Sequence, residues 1–179
     1  MVTRPRDGQM STEQHARYAT RRGWAAPDPA NVTIRLATLN DLPGLTTLFD
    51  AYRMFYGFAS GHRAAGEFLA ARLSRHESTI LVAVRRPNEE LVGFAQLFPG
   101  FSSLSLGAVI VLNDLFVIPS ARQHGVGGRL VDAAVEYARQ SGAIRVDLET
   151  HPENSAAMEL YRDKGFVPDI EFMHMSRSL

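Results

Sequence analysis

The sequence predicts a mixed α/β domain: one twisted mixed sheet of about six to seven strands, with about four helices packed on it. Three observations carry this. Short apolar-rich segments, of which "VTIRLA" and "IRVDLET" alternate with period two, are interspersed with longer helix-like segments, and glycines or prolines mark most junctions. Read in order, the elements run β-α-α-β-β-β-α-β-α-β across residues 31 to 179.

"VTIRLA" (32–37) is a first strand with Val32, Ile34 and Leu36 on one face. "NDLPGLTTLFDAYRMFYG" gives a helix from about Leu42, capped by Asn40 or Asp41 and stopped at Gly57. "RAAGEFLAARLSRH" (63–76) is a second helix. "TILVAVR" and "LVGFAQLF" form a hairpin around "RPNEE", and "GAVIVLNDLFVI" is a long strand. "VGGRLVDAAVEYARQSG" is a helix ending at Gly142, and "IRVDLET" a strand alternating apolar and charged residues. "NSAAMELYRDKG" is a short helix and "EFMHMSRS" a closing strand. Residues 1–30 read as a separate N-terminal extension, Arg-rich and ending in "APDPAN". It is either a poorly ordered tail or an arm packing on a partner subunit.

Composition narrows the function classes. Of the residues, 45% are apolar and 21% charged, and the formal net charge is +0, so nothing in the balance supports a nucleic-acid or membrane-surface partner. The absence of cysteine excludes disulfides, thiolate metal sites and a cysteine nucleophile. No apolar run reaches the roughly 18 residues of a membrane span, and the N-terminus has no hydrophobic signal core, which makes a cytoplasmic location the expectation. Lys164 is the only lysine among 19 basic residues, which leaves little room for a lysine nucleophile. The six histidines have no ligand spacing, so no metal is expected, and no GxSxG or HExxH occurs.

The stretch "ARQHGVGGRL" (121–130) concentrates glycine where a strand passes to a helix. Backbone N–H groups without intrahelical partners converge at a helix N-terminus, and the macrodipole adds roughly half a positive charge. Gly125, Gly127 and Gly128 are therefore an expected anion cradle, with Arg122 as a charged donor at its rim. A Walker A loop is ruled out because Arg129 and Leu130 follow Gly128. A dinucleotide fingerprint is ruled out by Leu130 and by the distance from the strand end at Ile118.

Arg122-Gln123-His124-Gly125-Val126-Gly127 resembles the Arg/Gln-x-x-Gly-x-Gly/Ala signature of the GNAT N-acetyltransferases. The resemblance runs from Val32 to about Ser176: "NDLFVIP" precedes the signature, and Gly142, "IRVDLET" and "NSAAMELYRDKGF" follow in order. It is closest to the polyamine/histone acetyltransferase-like branch. It implies the GNAT fold, splayed at the acetyl-CoA strand, and acetyl-CoA as co-substrate. The pyrophosphate would lie on the backbone of Gln123, His124, Gly125, Val126, Gly127 and Gly128. The pantetheine arm would run along Leu115, Phe116 and Val117, where a backbone N–H holds the acetyl carbonyl. In that pattern Asn154 and Ala157 contact the CoA arm, and Tyr161 lies near its sulfur. Asn154 also reads as a helix cap, and Tyr161 as a half-buried packing residue.

Acetyl transfer to an amine needs a group to take the amine's proton, because an amine of pKa near 10.4 is neutral in only about one molecule per thousand at pH 7. The resembling branch has Glu-Asp where this chain has Asn113-Asp114, and an amide cannot be the base. Asp114 remains, with Glu149 as the alternative; either carboxylate could instead bind the cationic amine. Tyr161 is the expected donor to the leaving thiolate. The family's acceptor pocket falls on "DAYRMFYGF" (50–58), where Tyr56 and Phe58 are candidate walls and Tyr52 and Phe55 read chiefly as core. "FPGFSSLSLG" (98–107) is a lip over that pocket or a subunit contact, and the resemblance suggests a homodimer.

The expected activity is acetyl transfer from acetyl-CoA to a polyamine, another small amine or a protein lysine, by direct attack in a ternary complex. Other readings are a different acyl-CoA, an amino-acid-like acceptor, or a CoA-binding regulatory module without turnover.

Overall fold

The computed structural model describes residues 31–179; the expected N-terminal extension lies outside them. Its strands are β1 (Val32–Leu36), β2 (Thr79–Arg85), β3 (Glu90–Ser102), β4 (Gly107–Val117) and β5 (Arg145–Leu148). Its helices are α1 (Leu42–Phe55), α2 (His62–Ser74), α3 (Val126–Gln140) and α4 (Ser155–Asp163), with short 3-10 turns at Leu39–Asp41 and Pro119–Ala121. The sheet order is β1-β2-β3-β4-β5. All neighbours are antiparallel except β4 and β5, which are joined through α3 and run parallel.

Helices cover both faces, so the central strands lose the alternation of a half-exposed sheet. Ile80 to Val84 of β2 are buried without interruption. On one face Phe94 and Phe116 meet the α1 aromatics Phe49 and Tyr52. On the other, Val126, Leu130, Val131, Ala134 and Ala138 form the buried stripe of α3. Gly93 lets α3 approach, because a Cβ there would lie 3.3 Å from Leu130 Cδ1.

Two polar clamps fix α1. At its start Asp41 takes two bonds from Arg35 (2.7 and 2.8 Å) and one from the Thr38 backbone N–H (2.7 Å). Beyond its end, buried Asp50 accepts from Ser60 Oγ (2.7 Å) and the Gly61 N–H (2.8 Å), tying down the connection to α2.

Two expectations are corrected. The closing strand over "EFMHMSRS" is not formed, so the described sheet has five strands rather than six or seven. Pro168 supplies no N–H, and Asp169 takes the Glu171 N–H into a local turn (2.9 Å), so the approach to this segment is spent on local bonds. Residues 98–107 are not a lip but the end of a long hairpin, whose strands pair as far as Ser102↔Gly107. At about 3.3 Å per residue the hairpin end lies roughly 23 Å along β4 from Asp114, too far to cover it. No described helix is long and apolar enough to cross a membrane.

Candidate active site

The site begins with an irregularity in β4. Pairing with β3 passes from Leu97↔Leu112 to Gln96↔Asp114, which leaves Asn113 as an extra, bulged residue. Parallel pairing with β5 stops at Leu112↔Leu148, immediately before it. A bulge bends its strand and re-aims the next side chain. Here it coincides with the point where β4 and β5 part, and residues 113 to 117 of β4 continue past the last β5 partner.

That free stretch leads directly to the glycine-rich turn. Gln123 (φ +62°) takes a left-handed conformation that strains a residue with a side chain, and Gly125 (φ +73°) takes one that glycine adopts freely. The first bond of α3 runs from the Arg129 N–H to the Gly125 carbonyl (3.1 Å), so the N–H groups of Val126, Gly127 and Gly128 precede the helical ladder. The three glycines serve different ends. Gly125 has open space where a side chain would be, a Cβ at Gly127 would make ordinary contact with Leu160 at 3.5 Å, and one at Gly128 would press on the Lys164 side chain at 3.2 Å. Lys164 is held there by Asp132 at 2.5 Å.

Arg122 does not stand at the rim of the cradle. Its Nε donates to the Val117 carbonyl (2.9 Å), and its guanidinium lies over the rings of Phe55 (5.2 Å) and Phe116 (5.6 Å). Burial lowers its pKa from the ordinary arginine value. His124 Nδ1 donates to the Arg122 carbonyl (2.6 Å) and braces the turn. What the turn itself presents is therefore backbone N–H groups and the N-terminal end of the α3 dipole.

On the α1 side, Asp114 is buried and carries two hydrogen bonds. Asn113 Nδ2 donates to its Oδ2 (3.1 Å), and the Tyr52 hydroxyl donates from α1. Burial raises the Asp114 pKa above the usual carboxylate range, and the two donors pull against it. Tyr52 packs edge-on against Tyr56 (5.1 Å), Phe94 (5.9 Å) and Phe116 (6.2 Å), and burial raises its pKa. Tyr56 is pushed up in the same way, by burial and then by the charge of Asp114. Tyr52, read from the sequence chiefly as core, does pack against the core aromatics and also brings its hydroxyl to Asp114. Its spacing of four from Tyr56 puts both hydroxyl-bearing rings on one helix face, a signal that was available.

Tyr161 reaches the same cluster from α4. Burial, followed by the influence of Tyr56, pushes its pKa up to about 12, so it is a neutral phenol throughout the physiological range. It stacks edge-on with Phe166 (5.8 Å). Asn154 is the N-cap of α4 and accepts the Ala157 N–H (3.2 Å), which leaves its Nδ2 donors for any ligand. Glu149 lies just beyond β5, exposed, and pairs with His174 at 3.0 Å. Phe58 is partly exposed and covered by the Arg53 guanidinium at 5.6 Å. The fold thus gathers Asp114, Tyr56 and Tyr161, adds Tyr52, and leaves Glu149 at the surface. Among the described residues, no group of three or more His, Asp or Glu could hold a metal ion.

The chain is similar to known acetyltransferases. The acetyltransferase (GNAT) family model fits residues 45–166. An uncharacterized N-acetyltransferase of Bacillus subtilis, YhfO, is 46% identical over 80% of this chain and 95% of its own length. An aminoglycoside N(6')-acetyltransferase type 1 of Klebsiella aerogenes is 37% identical over 56% of this chain and 66% of its own. A crystal structure of a probable acetyltransferase superposes with a TM-score of 0.78 at 39% identity, covering 82% of this chain and 97% of that one.

Proposed function

The chain belongs to the acetyltransferase (GNAT) family and is an N-acetyltransferase, and we propose that its acceptor is a primary amine attacking the acetyl group directly in a ternary complex. The observation that carries this reading is the bulge at Asn113. It coincides with the end of β4–β5 pairing, where the strand that runs to the Gly125 turn is left free, and Asp114 beside it faces Tyr52 and Tyr56.

Family members take the acetyl group from acetyl-CoA, which supplies an activated acyl group on a thiolate leaving group. The residues present suit it. The edge of Leu115, Phe116 and Val117 lies beyond the last β5 partner and, apart from the Val117 carbonyl held by Arg122, suits the backbone of an extended arm. The N–H groups from Gln123 to Gly128, with the α3 dipole and the open space at Gly125, suit a pyrophosphate. Asn154 and Ala157 belong to the same face at the start of α4.

In this reading Asp114 binds the acceptor as an ammonium ion and receives its proton, and Tyr161 donates to the departing sulfur. Burial supports the first role, because a carboxylate with raised proton affinity is better matched to an amine at neutral pH. Glu149, exposed and paired with His174, has less to support it as base. The enzyme is also read as a homodimer. Its support is the apolar hairpin end, where Phe101, Leu104 and Leu106 are 86–90% exposed.

The deciding experiment measures release of free CoA from acetyl-CoA across polyamines, small primary amines, lysine peptides and, given the Klebsiella relative, aminoglycosides. Turnover with one class, lost in Asp114→Asn, supports the reading. Tight acetyl-CoA binding with no turnover on any acceptor would favour a CoA-binding regulatory module. Asn113 is the observation that keeps this second reading, since it stands where the resembling branch carries glutamate. Sedimentation velocity tests the dimer.

A further inference from the structure

We propose that Tyr52 is a positioning residue of the acceptor site, its hydroxyl fixing the Asp114 carboxylate across the α1–β4 interface. The inference rests on the reading of Asp114 as the group that serves the acceptor amine.

The argument starts from the bulge. Asn113 is the extra residue of β4, so nothing on β3 is directly opposite it, and its amide turns back onto Asp114 Oδ2 at 3.1 Å. That bond joins neighbours in sequence and cannot by itself orient Asp114 relative to the helices. Tyr52 can, because its ring is wedged among Tyr56, Phe94 and Phe116 at 5.1 to 6.2 Å, and its hydroxyl ends on the carboxylate. α1 is itself anchored at both ends by the Asp41 and Asp50 clamps, so the hydroxyl position is set by the fold rather than by a mobile side chain.

The hydroxyl has a second consequence. The titratable groups facing Asp114 are Tyr52 and Tyr56 from α1, with Tyr161 of α4 coupled to both tyrosines. All three are phenols that stay protonated at neutral pH, so none neutralises Asp114. The carboxylate form is favoured instead by its two hydrogen-bond donors, Tyr52 and Asn113, acting against burial. Removing the Tyr52 hydroxyl should therefore raise the pH at which Asp114 takes up its proton. A hydrogen bond to a charged group is of the size that moves this midpoint by about one pH unit or somewhat more.

The test uses the full chain as wild type, Tyr52→Phe, Asp114→Asn and the double variant. Tyr52→Phe keeps the ring and its packing, and thermal melts check that all four fold. Carbon-13 titration of the aspartate carboxyl groups, with Asp114→Asn identifying the signal, reads the midpoint without any acceptor. Tyr52→Phe is expected to raise it by about one pH unit. With an amine that turns over, Tyr52→Phe is expected to lower kcat/KM about tenfold in the wild-type background and little in Asp114→Asn.

An unmoved midpoint, or an equal kinetic loss in both backgrounds, would overturn the positioning role. In that case Asp114 could still serve the amine, provided Asp114→Asn alone is impaired. If Asp114→Asn keeps both rate and acceptor KM, the reading of Asp114 fails and this inference fails with it. Should Tyr52→Phe not fold, Asn113→Ala read by the same titration separates the two donors: a shift of the whole expected size from Asn113 alone overturns the assignment to Tyr52.

Discussion

Gly93 of β3 faces Phe116 of β4 so closely that a methyl group on it would lie 2.8 Å from the Phe116 carbonyl oxygen. The same methyl would meet Val117 Cγ2 at 3.2 Å and Leu130 Cδ1 at 3.3 Å. The obstructing atom is backbone, in the stretch of β4 assigned to the acyl donor, so relief requires moving that strand. Gly93→Ala is expected to destabilise the fold by about 1–3 kcal/mol through overpacking. It should also weaken acetyl-CoA binding at temperatures where the protein remains folded. Denaturant melts and calorimetry check the two parts, and unchanged affinity would show that the strand absorbs the shift elsewhere.

Gly125 presents the opposite case. A side chain there would meet nothing within 4 Å, yet its φ of +73° is one that side-chain-bearing residues rarely adopt. Gly125→Ala should cost about 1–2 kcal/mol from backbone strain alone. Relaxation of that strain would rotate the turn's N–H groups, so the acetyl-CoA Kd should rise at least several-fold. A stable variant with unaltered Kd would mean that the cradle does not depend on the left-handed turn.

The sequence made the helices and central strands legible because their apolar residues repeat with the period of the element. The stripe Val126, Leu130, Val131, Ala134 and Ala138 and the turn glycines around 125 could be read directly. The bulge at Asn113 could not, since "VLNDLFV" is an apolar run broken by one polar pair, which a strand can carry without a bulge, and a bulge exists only relative to β3. The two aromatic faces that draw Arg122 inward come from α1 and β4, about 60 residues apart in sequence, and no local pattern announces them. The same limit applies to 171–178, where strand-like composition is not matched by a paired neighbour. Local preference is a weak guide wherever pairing decides the outcome.

Asp41 gives a stability expectation with a definite sign. The bidentate Arg35, then the Thr38 donors, hold its pKa at about 2 against the ordinary 3.8, in spite of partial burial. A depressed carboxylate pKa contributes stability that is present above about pH 4 and lost as pH falls toward 2. The carboxylate is only 10% exposed, and the shift corresponds to roughly 2 kcal/mol at neutral pH. Asp41→Asn should therefore lower stability at pH 7 by about 1–2 kcal/mol, with the difference from wild type vanishing near pH 2. Urea melts across that range check it; a gap independent of pH would assign the loss to packing.

Tyr161 is the proposed proton donor to the leaving thiolate. With its pKa pushed up to about 12, chiefly by burial, the phenol keeps its proton well above the working range of the enzyme. As donor to the departing sulfur it should leave kcat free of any alkaline limb of its own through about pH 10. Tyr161→Phe keeps the ring and its edge contact with Phe166 while removing the donated proton. It should lower kcat by about tenfold or more, a positioned general acid typically contributing about 10²–10⁴-fold, and leave acetyl-CoA affinity near wild type. The comparison needs an acceptor that turns over and conditions in which the chemical step limits the rate, established by a burst-free progress curve. Under those conditions an unchanged kcat would remove Tyr161 from the proton chemistry and leave it as a wall of the pocket.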